Sequence, residues 1–385
     1  MPRDADLDPE LARYSRQLLF APLGVAGQRR LRQATVTLIG CGALGSALAN
    51  LLVRAGVGAL RIVDRDFIEL NNLQRQTLFD EHDIAQNLPK AEAAVRKLHK
   101  INSAVELEGL VSDVHAGNIA DLCRAADLIL DGTDNLETRY LINDFAVRAD
   151  IPWVYGACLA ASGLVLPVRP HQTPCLRCLW ENPPAPGTTP TCDTAGILAA
   201  TANIVASLQA TEAMKLLVGS GQPPIRPADA ARSAPTGGRL FTIDVWAGRM
   251  RTVNVQAAFD EGDCPCCRQG RYEFLSGART AASTTLCGRD AVQILPADTG
   301  GTSVSGGAGV SGGTGVSPVA DAKKLSFKAI ADRLPPRSNP KWNEFMLKFT
   351  VEGFAVTLFP DGRAIIQGTS DPAIARGVYA KYIGI

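Results

Sequence analysis

The sequence ATVTLIGCGALG, residues 34–45, indicates the fold of the first half of this chain. Residues 34–39 form an apolar run that predicts a buried strand, and three glycines follow at G-x-G-x-x-G spacing. Residues 46–55 then carry apolar positions at helical spacing. Asp64 lies 19 residues beyond the last glycine, at the end of the next apolar strand. Strand, glycine turn, helix, strand and acid in this order predict a dinucleotide-type nucleotide-binding fold.

Strand and helix patterns continue to alternate along the first half. Residues 126–134 and 151–157 read as buried strands, with a helical pattern over 135–149 between them. This alternation is typical of an α/β fold with a Rossmann-like, doubly wound and mostly parallel sheet. Residues 170–196 are rich in Pro and Cys, which predicts an exposed loop that crosses over the domain. A long helical pattern follows over 201–217.

The sequence predicts two domains. A hairpin pattern over 239–255 closes the first domain, which we expect to cover residues 1–270. Residues 271–385 carry the pattern of a small α+β module, with 286–295 as the candidate for its first strand. The Gly-, Ser- and Thr-rich stretch at 299–318 has too few apolar residues to order itself and predicts a flexible loop.

The composition excludes several classes of protein. With 385 residues, 46% of them hydrophobic, the chain is long enough for two globular domains. It has 39 basic and 38 acidic residues, and the resulting charge of +1 does not indicate a nucleic-acid partner. The charged start and the lack of an apolar run of about 18 residues predict neither a signal peptide nor a membrane span. We therefore expect a cytoplasmic protein without a nucleic-acid or membrane partner.

The glycine turn by itself has two interpretations. Glycines let the backbone approach a phosphate at a helix N-terminus, and Asp64 would accept hydrogen bonds from ribose hydroxyls. Alternatively, the turn is only a tight connection that helix packing requires. Strand, helix and acid together favour nucleotide binding, for which NAD is the default expectation. The candidate contacts in the turn are Gly40, Gly42, Ala43 and Gly45.

The stretch DRDFIELNNLQRQ, residues 64–76, changes the expected nucleotide. Its polar belt is denser than a nicotinamide enzyme needs, and Arg75 and Lys90 would stabilise the charge that develops on a triphosphate. Downstream, DGTDN at 131–135 ends a strand, where the Asp134 carboxylate suits Mg²⁺ bridging phosphates. The assembly predicts ATP. The candidate nucleotide-binding residues outside the turn are Asp64, Asp66, Asn71, Asn72, Leu73, Gln74, Arg75, Lys90, Asp134 and Asn135.

Several of these residues also have a plainer interpretation. Arg75 and Lys90 are equally consistent with solvated surface charges, and Asp134 with a cap on the helix that begins near Leu136. Asp66 is either a second polar contact of the nucleotide or a carboxylate that stabilises its loop. Their joint occurrence, in this order after a nucleotide fingerprint, favours ATP.

Seven motifs occur in one order over roughly residues 10–270. They are RYSRQ (13–17), GCGALG (40–45), DRDFIELNNLQRQ (64–76), NLPKAEAA (87–94), DGTDN (131–135), CLRC (175–178) and TCDTAGIL (191–198). Together they resemble the ThiF/MoeB/HesA branch of the ubiquitin-activating enzyme superfamily. The resemblance implies an adenylyltransferase that uses ATP and Mg²⁺ to activate the C-terminal glycine carboxylate of a ubiquitin-like sulfur-carrier protein ending in Gly-Gly. A sulfurtransferase or a cysteine desulfurase is the further partner that it implies.

The resemblance also implies roles for individual residues. It assigns the glycine turn to phosphate contact, Asp64 to the ribose and Asp134 to Mg²⁺. It assigns the triphosphate to Asn72, Arg75 and Lys90. Arg16 matches the family's arginine that reaches into the neighbouring subunit's site, which implies a homodimer. Because the attacking group is already a carboxylate, the chemistry needs positioning and charge stabilisation rather than a general base.

Ten cysteines in a chain of this length favour metal binding or catalysis over a disulfide scaffold. Two C-x-x-C pairs supply the four thiolates of a tetrahedral Zn²⁺ site, which would fasten the Pro-rich loop to the end of the domain. The pairs are Cys175 with Cys178 and Cys264 with Cys267. The alternative is four free or bridged thiols, and Cys266 is a competing ligand.

Cys192 stands apart from the two pairs. It lies on the Pro-rich loop just before a helical pattern, whose N-terminus would lower the pKa of the thiol. In the family, a cysteine here forms a covalent link with the activated carrier in some members, whereas others adenylate without it. Cys41, Cys123 and Cys158 lie in apolar runs and are predicted to be core residues.

Two other classes of function explain parts of the sequence. An NAD(P)-dependent oxidoreductase with a structural zinc accounts for the glycine turn and Asp64, but it leaves Arg75, Lys90 and Asp134 without a role. A non-catalytic scaffold would recruit a ubiquitin-like partner through the C-terminal module, and loss of the ATP-contacting residues would have supported it. Those residues are all present, so the sequence favours the adenylyltransferase.

Overall fold

A computed structural model describes residues 10–184, 190, 192–219, 238–278, 291–294 and 325–384. The chain divides into two compact units between Thr280 and Ala281. The predicted boundary at 270 lies ten residues earlier, because Phe274 packs into the core of the first unit with its ring 4.9 Å from that of Tyr140. The glycine-rich stretch at 299–318 lies outside the described residues. None of the described helices is both long and apolar enough to cross a membrane.

The first unit is built on a sheet of eight strands. They are β1 (Thr35–Ile39), β2 (Ala59–Val63), β3 (Glu106–Leu110), β4 (Leu128–Asp131), β5 (Trp153–Leu159), β6 (Ser162–Val168), β7 (Arg239–Asp244) and β8 (Arg249–Asn254). Their order across the sheet is β3-β2-β1-β4-β5-β6-β7-β8. The first five strands are parallel, and β6, β7 and β8 continue the sheet antiparallel. The predicted fold class, a mostly parallel α/β sheet, is confirmed; the sequence analysis did not identify β6.

Helices cover this sheet. They are α1 (Ser15–Leu18), α2 (Gly24–Leu31), α3 (Ala43–Ala55), α4 (Glu81–Ala85), α5 (Lys90–Ile101), α6 (Ile119–Leu122), α7 (Leu136–Ala149), α8 (Leu176–Leu179), α9 (Cys192–Ala195), α10 (Ala199–Val218) and α11 (Ala257–Asp260). Alternate residues of one strand enter different cores: Leu38 packs with α3 and α10 residues, whereas Ile39 packs with α7 residues. Both faces of the sheet are therefore buried, as expected for a doubly wound fold.

The strand order places a ligand crevice between β1 and β4. From β1 the chain proceeds outward to β2 and β3, and it then returns to β4 on the other side of β1. In open α/β sheets ligands bind at such a reversal, beyond the carboxyl ends of the strands. The glycine turn follows β1 and the DGTDN loop follows β4, so both motifs lie at this edge.

The segment 170–196 departs from the prediction of an exposed loop. Its part from Thr173 to Arg177 is buried, and α8 forms there. The guanidinium of Arg177 explains the burial, because it donates to the carboxylates of Asp144 and Glu273 at 3.4 and 2.7 Å. Side-chain pairing thus offsets the turn-forming tendency of the prolines.

The second unit is an antiparallel sheet with helices. Its strands are β9 (Ala291–Ile294), β10 (Lys341–Trp342), β11 (Leu347–Val351), β12 (Phe354–Leu358) and β13 (Ala364–Gln367), in the order β10-β11-β12-β13-β9. Helices α12 (Phe327–Ala331) and α13 (Pro372–Tyr382) pack with one face of these strands. Strand β9 falls within the predicted 286–295 segment and pairs with β13, so the glycine-rich stretch lies between β9 and α12 in sequence.

Candidate functional site

The glycine turn combines tight packing with one open position. Gly40 has φ +88°, and a Cβ there would lie 2.7 Å from the backbone of Gly132. A Cβ on Gly45 would lie 2.0 Å from the carbonyl oxygen of Gly40. A Cβ on Gly42 would meet no atom closer than 3.9 Å, and that atom is Nε2 of Gln76. Packing therefore requires Gly40 and Gly45, whereas the space beside Gly42 is left for a ligand.

Asp64 holds the glycine turn from the adjacent strand. One carboxylate oxygen accepts a hydrogen bond from the backbone N–H of Cys41 at 2.6 Å, and the other accepts from the N–H of Asp66 at 2.7 Å. Burial raises the pKa of Asp64, and the neighbouring Lys90 opposes that rise. The acid therefore lies at the turn itself, where the sequence places the ribose contact.

Lys90 is not the solvated surface charge that the plainer interpretation required. It is the first residue of α5 and is only 4% exposed. Its Nζ lies 3.1 Å from the carboxylate of Asp66. Burial alone would lower the pKa of Lys90, but Asp66, Asp64 and Asp134 together raise it above its ordinary value. The fold thus gathers three carboxylates around one buried ammonium group.

Asp66 stabilises its loop in this structure. Besides Lys90, its carboxylate has Arg65 as a second, longer partner at 3.8 Å, and its carbonyl accepts from the Lys90 N–H at 2.9 Å. Arg65 in turn donates to Asp113 at 2.9 Å, which ties the loop after β2 to the loop after β3. Asp66 therefore both stabilises its loop and holds the ammonium group of Lys90.

The polar belt folds back towards the glycine turn. Leu70–Asn72 form a short 3₁₀ helix, in which Asn72 is only 1% exposed. The Asn72 side chain accepts a hydrogen bond from the Glu69 N–H and donates one to the side-chain oxygen of Asn71. Arg75 is half-buried and donates to the Asn71 carbonyl at 2.7 Å. Gln74 is exposed and Leu73 packs against the core. The belt is internally cross-linked, which fixes its shape before any ligand binds.

Gln76 is a site residue that the sequence analysis did not select. Its side chain is buried, its Nε2 is the nearest atom to the open side of Gly42, and its Oε1 has no hydrogen-bond partner in the described part of the chain. The signal was present in the sequence, since Gln76 ends the same NLQRQ run that supplied Arg75.

The DGTDN loop is clamped by a buried ion pair. Arg139 Nε lies 3.0 Å from the Asp131 carboxylate, and Nη2 donates to the carbonyls of Thr133 and Gly156. Asp131 also accepts from the backbone and hydroxyl of Thr133. Burial alone would lower the pKa of Arg139, but the neighbouring Asp131 raises it; burial raises the pKa of Asp131, and Arg139 opposes that rise. Sequence reasoning missed Arg139, although a residue near the start of α7 points back towards the preceding loop.

Asn135, not Asp134, caps α7. The Asn135 side chain accepts a hydrogen bond from the Thr138 N–H at 3.0 Å. Asp134 is exposed and close enough to Lys90 to contribute to its raised pKa. The proposed cap at Asp134 is therefore wrong, and its carboxylate is available at the crevice.

The two C-x-x-C pairs meet in space. The sulfur atoms of Cys175, Cys178, Cys264 and Cys267 all lie within 4.8 Å of one another. Cys175 Sγ is 3.6 Å from Cys264 Sγ, and Cys178 Sγ is 3.3 Å from Cys267 Sγ. Four thiols at these separations fit the donor set of a tetrahedral thiophilic metal site. Cys266 is fully buried but is not a member of this group.

The sequence of this chain is similar to a known family and to individual known proteins. The model of the ThiF family matches residues 14–266. The chain belongs to the ThiF family. It is 41% identical over 372 residues to the sulfur carrier protein ThiS adenylyltransferase of Bacillus subtilis (strain 168), covering 97% of this chain and 99% of that protein.

Other similar proteins match about two thirds of this chain. The sulfur carrier protein adenylyltransferase of Thermus thermophilus is 36% identical over 264 residues, which are 67% of this ThiF-family chain and 91% of that protein. Among solved structures, E. coli MccB with ATP has a TM-score of 0.56 at 21% identity, covering 69% of this chain and 76% of that one. The MccB likeness supports the fold alone.

Two predicted site residues of this ThiF-family chain, Arg16 and Cys192, are not described at the crevice. Cys192 is the first residue of the four-residue helix α9 and precedes α10 in sequence, and its side chain lies outside the described part. Arg16 is exposed on α1, next to the exposed Leu19 and Phe20. The predicted core positions of Cys41 and Cys123 are buried, and burial raises the pKa of the Cys123 thiol to about 12.

Proposed function

We propose that this ThiF-family chain adenylates the C-terminal glycine carboxylate of a ubiquitin-like sulfur-carrier protein ending in Gly-Gly, with ATP as the donor. The observation that carries the proposal is the buried Lys90, held among Asp64, Asp66 and Asp134 at the edge where the glycine turn emerges. The similarity to a ThiS adenylyltransferase along nearly the whole chain supports the substrate class.

The site residues have different roles in binding the nucleotide and its metal ion. The backbone at Gly42 and Ala43, at the N-terminus of α3, receives phosphate, and Asp64 receives the ribose hydroxyls. Asn72, Arg75 and Lys90 contact the triphosphate. When bound, Mg²⁺ held by Asp134 would neutralise phosphate charge.

The chemistry needs no general base. A carboxylate oxygen of the carrier attacks the α-phosphorus of ATP, the bond to the pyrophosphate oxygen breaks, and the products are acyl-adenylate and pyrophosphate. Lys90 and Arg75 stabilise the negative charge that accumulates on the departing pyrophosphate. The rigid belt and the clamped DGTDN loop hold the reacting groups in line.

We further infer that the four-thiol group holds Zn²⁺. Four sulfur donors with two partly exposed members suit a structural site closed to substrate. Arg177, between Cys175 and Cys178, reaches Glu273 beyond the second pair, so the same contacts bring both pairs together. Zinc would fasten α8 to the segment that ends the first unit.

We propose a homodimer in which Arg16 acts on the partner's site. Gln17, next to it, donates to the carbonyl of Ala55 at the last turn of α3, and Tyr14 accepts from Asn102. The glycine turn lies at the opposite end of this 13-residue helix, about 20 Å away at 1.5 Å per residue. An arginine side chain does not span that distance, which supports a role of Arg16 in the site of a second copy.

The remaining partners follow from the chemistry. An acyl-adenylate on the carrier requires a sulfur donor, which a sulfurtransferase or cysteine desulfurase supplies in a reducing cytoplasmic setting. Cys192 is the candidate for a covalent link to the activated carrier.

ATP–pyrophosphate exchange with a ThiS-type carrier ending in Gly-Gly tests the proposal. We expect carrier-dependent exchange in the wild type and its loss in Asp134→Ala. Asp121→Ala is the matched control, because Asp121 is an exposed aspartate that pairs with the exposed Arg124 at 3.1 Å. Absence of exchange with any such carrier, together with NAD binding, would instead support the oxidoreductase.

A further inference from the structure

Asn143 lies where α7 meets the four-thiol group. Its side chain is fully buried. Its amide nitrogen is 3.7 Å from Cys175 Sγ and 3.4 Å from Cys266 Sγ, and its carbonyl oxygen accepts from the Leu176 N–H at 2.8 Å. Each amide hydrogen therefore has one sulfur as its acceptor, and the carbonyl holds the backbone of the first C-x-x-C pair.

The strength of these hydrogen bonds depends on whether the sulfur acceptor is a thiol or a thiolate. A neutral thiol is a weak acceptor, and a buried amide without a good acceptor costs stability. A thiolate is a much better acceptor, since hydrogen bonds to ionised groups are roughly twice as strong as neutral ones. The contact with Cys175 is therefore favourable when Cys175 is a metal-bound thiolate, so the argument rests on the proposed zinc site.

Cys266 is not one of the four clustered sulfurs, although its thiol interacts with that of Cys175. It receives the second Asn143 hydrogen, and its thiol interacts with the carboxylate of Asp144, the next residue of α7. Asp144 is itself fixed, because it accepts from the Phe274 N–H at 3.0 Å and pairs with Arg177. Two neighbouring α7 side chains thus hold the Cys266 sulfur.

We propose that Asn143 is a positioning residue of the four-thiol metal site. One amide hydrogen supports the Cys175 thiolate, and the other retains Cys266 outside the ligand set. The site is thereby restricted to Cys175, Cys178, Cys264 and Cys267, although a fifth thiol lies in the same segment.

The proposal is tested by metal release from the purified full chain. Zinc per chain is measured first, and zinc transfer to a chromophoric chelator is then followed in time. Asn143→Leu, which keeps the volume but removes both donors, should release zinc about 10- to 100-fold faster than the wild type. Asn203→Leu is the matched control, because it removes an amide that donates to the Ala199 carbonyl within α10, and it should release zinc at the wild-type rate.

Cys266→Ala supplies the second arm. It removes an acceptor but no ligand, so we expect one zinc per chain and an unchanged Co²⁺–thiolate absorption after cobalt substitution. Loss of thiolate absorption in Cys266→Ala, or a wild-type release rate in Asn143→Leu, overturns the proposal. If Asn143→Leu does not fold, Asn143→Asp takes its place, since a carboxylate keeps the shape and cannot donate.

The outcome is separable from that of the proposed function. A wild-type chain without zinc overturns this inference while carrier-dependent exchange stands. Conversely, zinc release that depends on Asn143 in a chain without exchange activity leaves the inference intact and removes the adenylation proposal.

Discussion

At the scale of single residues, Gly42 and Gly45 have different reasons to be glycine. A side chain on Gly45 collides with the Gly40 carbonyl, whereas one on Gly42 enters open space. Sequence spacing alone treats the two positions alike. Only the packed turn separates the position that the fold needs from the one that a ligand needs.

Alanine at Gly42 should therefore weaken ligand binding, whereas alanine at Gly45 should lower stability. We expect Gly42→Ala to keep the melting temperature but to raise the KM for ATP, because the added methyl group occupies ligand space. Gly45→Ala should lower the melting temperature markedly, since the backbone must shift. Thermal unfolding and exchange kinetics of both variants provide the comparison; an equally unstable Gly42→Ala would contradict the assignment.

Substitution of Lys90 should change both the free energy of unfolding and the rate of ATP–pyrophosphate exchange. Lys90→Met removes the buried cation beside the Asp64 and Asp66 carboxylates, so we expect a loss of about 3–5 kcal/mol in the free energy of unfolding. Exchange should fall at least 100-fold, because charge on the pyrophosphate is no longer stabilised. Urea unfolding and exchange assays measure the two effects, with the exposed Lys328→Met as the control.

The pH dependence of this cluster follows from the sign of the shift. The pKa of Lys90 is raised above its ordinary 10.5, so the stability it contributes is complete below pH 10.5 and is lost as the pH rises further. We expect the difference in unfolding free energy between wild type and Lys90→Met to decrease above pH 10.5. A decrease that begins near pH 8 would show that the carboxylates do not hold the ammonium group.

At the scale of elements, α7 connects two sites along one face. Asn135, Arg139 and Asn143 are four residues apart, so they lie on the same side of the helix. Asn135 caps the helix, Arg139 clamps the DGTDN loop and Asn143 contacts the thiols. The helix therefore sets the DGTDN loop and the cysteine group in one rigid frame.

Substitution of Arg139 tests whether this residue fixes the DGTDN loop to α7. Arg139→Met breaks the buried pair and should destabilise the first unit by about 3–5 kcal/mol. Arg139→Lys keeps the charge but has fewer donors, so we expect a folded protein that needs a higher Mg²⁺ concentration for half-maximal exchange. Magnesium titration of the exchange rate is the measurement, and an unchanged titration would mean that the loop is held without Arg139.

At the scale of the molecule, the site requires two chains if Arg16 acts in trans. Arg16→Ala and Asp134→Ala should each be inactive as homodimers. A co-purified heterodimer of the two variants has one complete site, made from Asp134 of one chain and Arg16 of the other, and should regain exchange. Failure to regain activity in a verified heterodimer would refute the shared site.

The second unit has its own core and its own sheet. The match to the Thermus relative covers 67% of this chain and 91% of that protein, and the ThiF family model matches residues 14–266. We expect a chain ending at residue 278 to fold and to retain exchange. Size-exclusion chromatography and the exchange assay check this, and an aggregated product would show that the second unit stabilises the first.

The sequence by itself determined the strand–helix alternation, the nucleotide turn with Asp64, and the ATP-type belt, because local periodicity and short motifs encode them. It also supplied the two C-x-x-C pairs. Only the tertiary structure decided that Lys90 is buried among Asp64, Asp66 and Asp134, and that Asn143 contacts the thiols. These decisions depend on contacts between residues distant in the chain, where burial and charge pairing, rather than local preference, set the energy.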